Sequence, residues 1–387
     1  MGTYDVIIAG GGPAGAAAAT VLAKAGCSTA IVDRAVFPRD KLCAGLLTWK
    51  TIGSLGRLFG ASAESLIAGG IINHVSAEFR IRHRGTILSQ GPLVYPFHFV
   101  TRSVFDAWCL DQARRAGALV VEGERVVQAD PDQAVIRTAS GREFSGKWLI
   151  GADGALSQVR KAFTQDPELW RAEQGLGLEL LLDRQWLAGR TGLHGDLLAD
   201  FPSIYSGFVQ AGYGWVFPHK DRVIVGIGGL HRVGSKDAFQ ASFDDFLAFL
   251  GLGKHHGLPV RGYPLPYGNW LRRPYQGRTL LAGDAAGMVE PLFGEGIHYA
   301  LRTGELAGQA CLAALSRGRD APTRYLAELE ADVFPELVYA KYLRRILYWL
   351  MDQGLVLPVR GFLSGGGTLL QEMVHGMRSF KWLRKRV

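Results

Sequence analysis

Tyr4-Asp5-Val6-Ile7-Ile8-Ala9-Gly10-Gly11-Gly12-Pro13-Ala14-Gly15 runs from an apolar, β-branched segment straight into a glycine cluster and on into the alanine-rich stretch Ala14 to Ala25. The first part reads as a buried parallel strand and the alanine stretch as a helix. Between them Gly10, Gly12 and Gly15 permit a tight turn. Pro13 and Ala14 then open a helix whose N-terminal N–H groups and dipole suit a pyrophosphate. Ser28-Thr29-Ala30-Ile31-Val32 follows as a second strand and ends at Asp33, placed to accept hydrogen bonds from ribose hydroxyls, with Arg34 beside it in the same binding set. Strand, glycine loop, helix, strand and acid in this order make a Rossmann-type dinucleotide site, with NAD, NADP and FAD equally open. The uncharged stretch from Val6 to Ala23 has the look of a signal peptide or membrane span, but three glycines and a proline at its centre, and no basic segment ahead of it, argue against both.

A distant segment narrows the choice. Thr279-Leu280-Leu281-Ala282 reads as a buried strand that delivers Gly283-Asp284, and a Pro/Gly-rich turn through Glu290-Pro291-Leu292-Phe293-Gly294-Glu295-Gly296-Ile297 leads into a helix of small residues. Such a segment makes a second phosphate-and-flavin contact, which an NAD dehydrogenase does not need. The N–H groups from Gly294 to Ile297 also place a helix dipole where it can stabilise negative charge at the N1/C2 edge of a reduced flavin.

Other stretches fall into line with these two. Trp148-Leu149-Ile150-Gly151-Ala152-Asp153-Gly154, followed by Ser157, Val159 and Arg160, reads as a strand ending in Asp-Gly. Lys41-Leu42-Cys43-Ala44-Gly45-Leu46 and Gly212-Tyr213-Gly214-Trp215-Val216-Phe217-Pro218 stand between the glycine motifs. Together they make the chain resemble the FAD-dependent oxidoreductases of the p-hydroxybenzoate hydroxylase group, and within that group the geranylgeranyl reductase family, over the whole length in motif order. The resemblance implies FAD as cofactor, with Asp153-Gly154 beside the flavin and Asp284 on the ribityl chain or pyrophosphate. It further implies a cofactor contact from Arg102 and a backbone contact to adenine near Val126. Lys41 to Leu46 is similar to the family's Lys-Pro-Cys-Gly-Gly-Gly loop, with Leu42 and Ala44 in place of a proline and a glycine. Tyr213 to Pro218 is similar to its Tyr-x-Trp-x-Phe-Pro strand, with Gln210 where a proline usually leads. The Trp-x-Trp-x-Ile-Pro pattern of flavin halogenases is missing.

Tyr213, Trp215 and Phe217 alternate at period two and face one side together, an aromatic wall suited to a long apolar substrate, or equally to packing a sheet on a helix. Tyr213 carries a hydroxyl that needs a partner when buried, which makes it the first candidate for polar chemistry. Cys43 is the second, because Lys41 two residues away can favour a thiolate; a small side chain packed beside the flavin explains it as well. Glu179 lies in a strand expected to face the cavity, and His298 follows the glycine turn. Cys27, Cys109 and Cys311 read as core, and no Cys/His spacing suggests a metal.

With 387 residues and 48% hydrophobic content, the chain can bury a large core. The expected fold is α/β with an α+β second layer. A Rossmann-type FAD-binding domain is assembled from residues 1–75, 100–160 and 270–320. An inserted antiparallel β-sheet substrate domain takes 76–99 and 161–269, and 321–387 forms a helical C-terminal region. Few cysteines point to a cytoplasmic setting. The net charge of +8 is concentrated: from Tyr339 onward nine Lys/Arg stand against Asp352 and Glu372. There the cations alternate with Leu343, Ile346, Leu347, Trp349 and Leu350, then with Leu370, Met373, Val374, Met377 and Phe380, a pattern suited to the surface of an anionic membrane or to a helical cap with a solvated rim. Nucleic acid is not expected, since no recognition fold accompanies the charge.

These readings converge on an FAD-dependent reductase that delivers hydride from flavin N5 to a carbon–carbon double bond of an isoprenoid or other apolar, lipid-like substrate. Its electron donor is NAD(P)H, ferredoxin or quinol, which leaves room for a redox partner protein. An aromatic hydroxylase and an electron-transfer module serving a quinone pool are the alternatives on the same fold.

Overall fold

In the computed structural model, which describes residues 2–163, 167–230, 236–253, 257–365 and 367–381, the strand Gly2–Ala9 is wholly buried from Val6 to Ala9. A strand without a polar face belongs in the interior of a parallel sheet, and it lies there: parallel neighbours Thr29–Val32 and Glu143–Gly151 flank it, with Val6 opposite Thr29 and Ile7 opposite Leu149. Thr279–Leu281 adds parallel to Glu143–Gly151, and Leu119–Val121 to Thr29–Val32. This pairing sets Ala9, Gly151 and Leu281 side by side, so the three motif loops leave the sheet at one edge.

The helix Pro13–Lys24 is all but solid with small residues, and Ala16 to Ala19 are fully buried. It crosses the long helix Ile297–Arg317 at a distance only glycine permits. A Cβ on Gly304 would stand 2.1 Å from the Ala14 carbonyl oxygen, and one on Gly308 would stand 2.9 Å from that of Ala18.

A second sheet, among the described residues, has eight strands in the order Arg261–Pro266, Gln174–Asp183, Arg222–Leu230, Gly212–Pro218, Ser203–Ser206, Ile72–His83, Thr86–Val100, Leu46–Leu47. It differs from the expected antiparallel sheet at one seam, where Ser203–Ser206 runs parallel to residues 80–83. The run from Ile204 to Gln210 is strand only as far as Ser206, because the backbone turns at Gly207 (φ +90°) and Ala211 (φ +47°). One face packs Leu180, Leu182, Val225 and Ile227 against Phe239, Phe243 and Phe246 of the helix Lys236–Phe249. The other face, bearing Glu179, Trp215 and Phe217, turns toward the first sheet's loops.

The C-terminal helices Phe334–Asp352, Val356–Gly365 and Gly367–Val374 lie over the second sheet. Lys341, Arg344 and Arg345 converge on Glu173 at 2.7, 3.1 and 2.9 Å. The second basic-apolar stretch is interior, contrary to a surface role: Leu370, Met373 and Phe380 are buried against the fold, because they fill the gap over Leu88 and Leu292. Arg384, Lys385 and Arg386 lie outside the described residues.

The helix crossing makes a sharp prediction for thermal denaturation. Gly304→Ala forces a methyl into the Ala14 carbonyl and costs about 1–3 kcal/mol of stability. Gly53→Ala, on the exposed side of the helix Trp49–Phe59 with nothing within 4 Å of the new methyl, stabilises by about 0.5–1 kcal/mol. Equal effects from the two would show that the contact does not hold the helices together.

Candidate active site

The loops from the first sheet close on one cavity of about 880 Å³, within the range of cofactor and ligand sites. Gly10 has φ +104°, and a Cβ there would lie 2.4 Å from the Ala152 oxygen, so the first loop is pressed against the second. Gly12 caps the helix that Pro13 begins. Asp33 accepts the Gly11 N–H at 2.6 Å and the Ala35 N–H at 2.8 Å, which fixes its carboxylate beside the glycine turn. Asp153 accepts N–H groups of Gln158 and Val159 through Oδ2, while its buried Oδ1 has no partner among the described residues. Asp284 is paired with Lys41 at 2.9 Å.

Every residue singled out from sequence as cofactor- or substrate-binding lines this cavity except Gly15. Gly15 stands behind the turn, where a Cβ would lie 1.9 Å from the Gly10 oxygen; its role is to let the loop close. The others reach the cavity from separate elements: Gly10, Gly12, Pro13 and Ala14 from the first turn, Asp33 and Arg34 from the second strand, Val126 from the start of the strand Val126–Asp130, and Asp153, Gly154 and Asp284 from the later loops. Gly294 (φ +68°), Gly296 and Ile297 bring the N-terminus of the long helix to the same space.

The loop of Cys43 is held from all sides. Gly45 (φ +74°) must be glycine, because a Cβ would be 2.0 Å from the Val100 oxygen, whereas Ala44 has no left-handed backbone and accepts its methyl. His219 fixes the Ala44 carbonyl at 3.0 Å and Asn73 at 3.1 Å; burial lowers its pKa to about 4 and keeps it neutral. Lys41 is not the cation that serves Cys43, since it is committed to Asp284. The cation beside the thiol is Arg102, which forms a bidentate pair with Asp106 at 2.8 and 2.8 Å. Burial opposes the charge of Arg102, and the Asp106 carboxylate outweighs it.

The aromatic strand forms the opposite wall. Tyr213, Trp215 and Phe217 all face the cavity. The Trp215 indole lies flat on Gly226 and Gly228, where added Cβ atoms would meet it at 2.4 and 3.1 Å. Its Nε1–H has no partner among the described residues. The Tyr213 hydroxyl donates to the Phe293 carbonyl, and burial raises its pKa well above the ordinary value, so in this arrangement Tyr213 braces the glycine turn. Glu290 shapes that turn by accepting the N–H groups of Leu292 and Phe293, and Glu295 ties it to Thr48 at 2.6 Å and Lys50 at 2.5 Å. His298 bonds Ser54 away from the cavity.

Glu179 sits within the strand Gln174–Asp183. It is 2% exposed and faces the cavity. One side of the carboxyl takes the Cys43 N–H, while Oε1 has no partner among the described residues. Burial raises its pKa to about 8 against the smaller pull of the Cys43 N–H, Arg102 and Arg261. A lone acid in the apolar run Leu176–Leu182 was the available signal. The roles of Glu290, Glu295, His219, Gly226 and Gly228 rest on contacts that no spacing announces.

A glycine cradle at a helix N-terminus, a fixed carboxylate for the ribose and a buried oxygen free to accept a ribityl hydroxyl fit FAD. The fold and site are those of an FAD-dependent oxidoreductase, and the family model for the FAD binding domain matches residues 3–174. The geranylgeranyl diphosphate reductase of Rhodobacter capsulatus is 30% identical over 82% of this chain and 77% of that protein. The menaquinone reductase of Mycolicibacterium smegmatis is 29% identical over 79% and 75%. A geranylgeranyl bacteriochlorophyll reductase-like protein of Thermoplasma acidophilum shares the fold at TM-score 0.70 and 21% identity, covering 96% of this chain and 91% of that one. The chain belongs to the geranylgeranyl reductase family of FAD-dependent oxidoreductases.

Filling the cavity replaces the solvent near the already buried Glu179 and disfavours its ionised form further, so FAD and a proton bind together. FAD affinity is then level below pH about 8 and weakens as pH rises through that value, by up to about tenfold per unit. Quenching of FAD fluorescence measures this. Glu179→Gln abolishes the slope and Cys43→Ser retains it; a slope unchanged in Glu179→Gln would refute the linkage.

Proposed function

We propose that this protein reduces carbon–carbon double bonds of an isoprenoid or other apolar, lipid-like substrate. The observation that carries the reading is the continuity of the cofactor cradle with an apolar arm. From Tyr213 and Trp215 the cavity runs on past Phe97, Ile204 and Leu93 to Leu370 and Val374. Such a lining holds a hydrocarbon chain by displacing water along its length and leaves few polar groups to hold anything else. The named substrates of the two relatives, geranylgeranyl diphosphate and menaquinone, both carry isoprenoid chains.

Once reduced by an external donor, bound FAD would supply a hydride from N5. The protein's own residues do the rest: the aromatic wall orients the chain, the helix beginning at Ile297 offers positive dipole to the cofactor's carbonyl edge, and Arg102 keeps a fixed charge near Cys43. A proton is needed at the second carbon of the double bond. Tyr213 has its hydroxyl engaged by Phe293, whereas Glu179 holds a proton at neutral pH; Cys43 and water complete the set of donors. NAD(P)H, ferredoxin or quinol would reload the cofactor.

The test reduces the FAD-loaded protein with dithionite without oxygen and adds geranylgeranyl lipids while product mass is followed. Gain of one H₂ per double bond with matching cofactor reoxidation is the expected result. Product bearing an added oxygen atom, formed only in air, would replace the reductase by a hydroxylase.

A further inference from the structure

We propose that the outer face of the C-terminal helices seats this protein on an anionic lipid bilayer. Tyr342, Ile346 and Trp349 form one stripe along Phe334–Asp352, and Leu355, just before the next helix, and Leu357 and Phe362, within it, are exposed as well; Trp349 is 59% exposed and Leu357 76%. The neighbouring side of Phe334–Asp352, about 100° around the helix, is also apolar, with Leu343, Leu347 and Leu350 packed inward. A helix apolar on two faces is one covered on two sides, and this chain covers one.

Charge selects the cover. Arg360 is exposed between Leu357 and Phe362, and Arg345, which shares Glu173 with the more buried Lys341 and Arg344, is also exposed, so positive charge stands beside the stripe. A second copy of the chain docked here about a twofold axis would set these cations against each other. Anionic headgroups accept them, while Trp, Leu and Phe enter the acyl boundary. Among the described residues no helix is long and apolar enough to cross a membrane, so the helices lie on the surface.

The place of the patch gives it a use. Ile81, Phe293 and Leu370 line the cavity and also pack with Leu347, Leu350, Val359 and Leu363. The apolar arm is therefore separated from the docking face by one layer of helix, about 10–12 Å. A lipid-like substrate would travel only that far from the bilayer, a consequence that rests on the reductase reading; the docking itself does not.

Flotation of the FAD-loaded protein with phosphatidylcholine vesicles, with and without phosphatidylglycerol, tests the docking. Binding to the anionic vesicles that weakens with salt is expected. Trp349→Ser/Leu357→Ser should raise the lipid needed for half-binding about tenfold or more. Arg360→Gln should raise it about fivefold on anionic vesicles alone. Cofactor absorbance per chain and circular dichroism report that both variants are folded. No flotation of the unaltered protein, or equal flotation of the double variant, would overturn the proposal. So would a dimer in light scattering that the double variant turns into a monomer, which would put a second copy on this face. Flotation without any reduced lipid product would leave the docking standing and retire the reductase reading.

Discussion

The close crossing of Pro13–Lys24 and Ile297–Arg317 is the contact on which the site depends. It allows the two ends of the cofactor cradle, far apart in sequence, to share one space. Ala14 and Ala18 on one helix and Gly304 and Gly308 on the other remove the side chains that would otherwise keep the axes apart. Gly283 continues the fit, since a Cβ there would touch the Ala14 methyl at 3.1 Å. Were the helices spaced by ordinary side chains, Asp284 and the turn at Gly294–Gly296 would retreat from the first glycine loop, and the pyrophosphate and flavin ends of the cradle would no longer match one molecule.

Around this joint the chain uses charge sparingly and completely. Asp106 is fully buried and holds both Arg102 and Arg39. Asp196 is buried and holds Arg80 and Arg82 beneath the second sheet. Burying such groups is unfavourable unless every one is paired, and these pairs anchor loops rather than add much net stability. Asp153 departs from the rule through its unpartnered Oδ1, and so does Glu179 through Oε1. The free oxygen of Glu179 is tolerated because the carboxyl can remain protonated, and that is what connects a buried acid to occupancy of the cavity.

Much of this was legible in residue order. The strand–glycine–helix–strand–acid sequence from Tyr4 to Asp33, the Asp-Gly at Asp153 and the Gly-Asp at Gly283 each carry a local backbone requirement that only a few residue types satisfy. Period-two alternation sufficed to place Tyr213, Trp215 and Phe217 on one wall. What remained hidden was the identity of partners. Lys41 precedes Cys43 in sequence yet reaches Asp284, and Arg102 comes to the thiol from a different element. Likewise, helical spacing marks Leu370, Met373 and Phe380 as an apolar stripe without saying whether lipid or protein covers it. Tertiary contact decides such questions, and a periodic pattern reads the same in either case.

The two glycines beneath Trp215 have a consequence for how this family could diversify. The indole rests where Cβ atoms at Gly226 and Gly228 would be; Gly228 lines the cavity, whereas the closer contact, Gly226, does not, so the depth of the aromatic wall is set in part from behind, at Gly226. A change of one methyl there would shift the ring forward and shorten the hydrocarbon arm while leaving every lining residue in place. Chain-length preference could therefore drift between relatives whose cavity walls are identical residue for residue, and a comparison of lining residues alone would miss it.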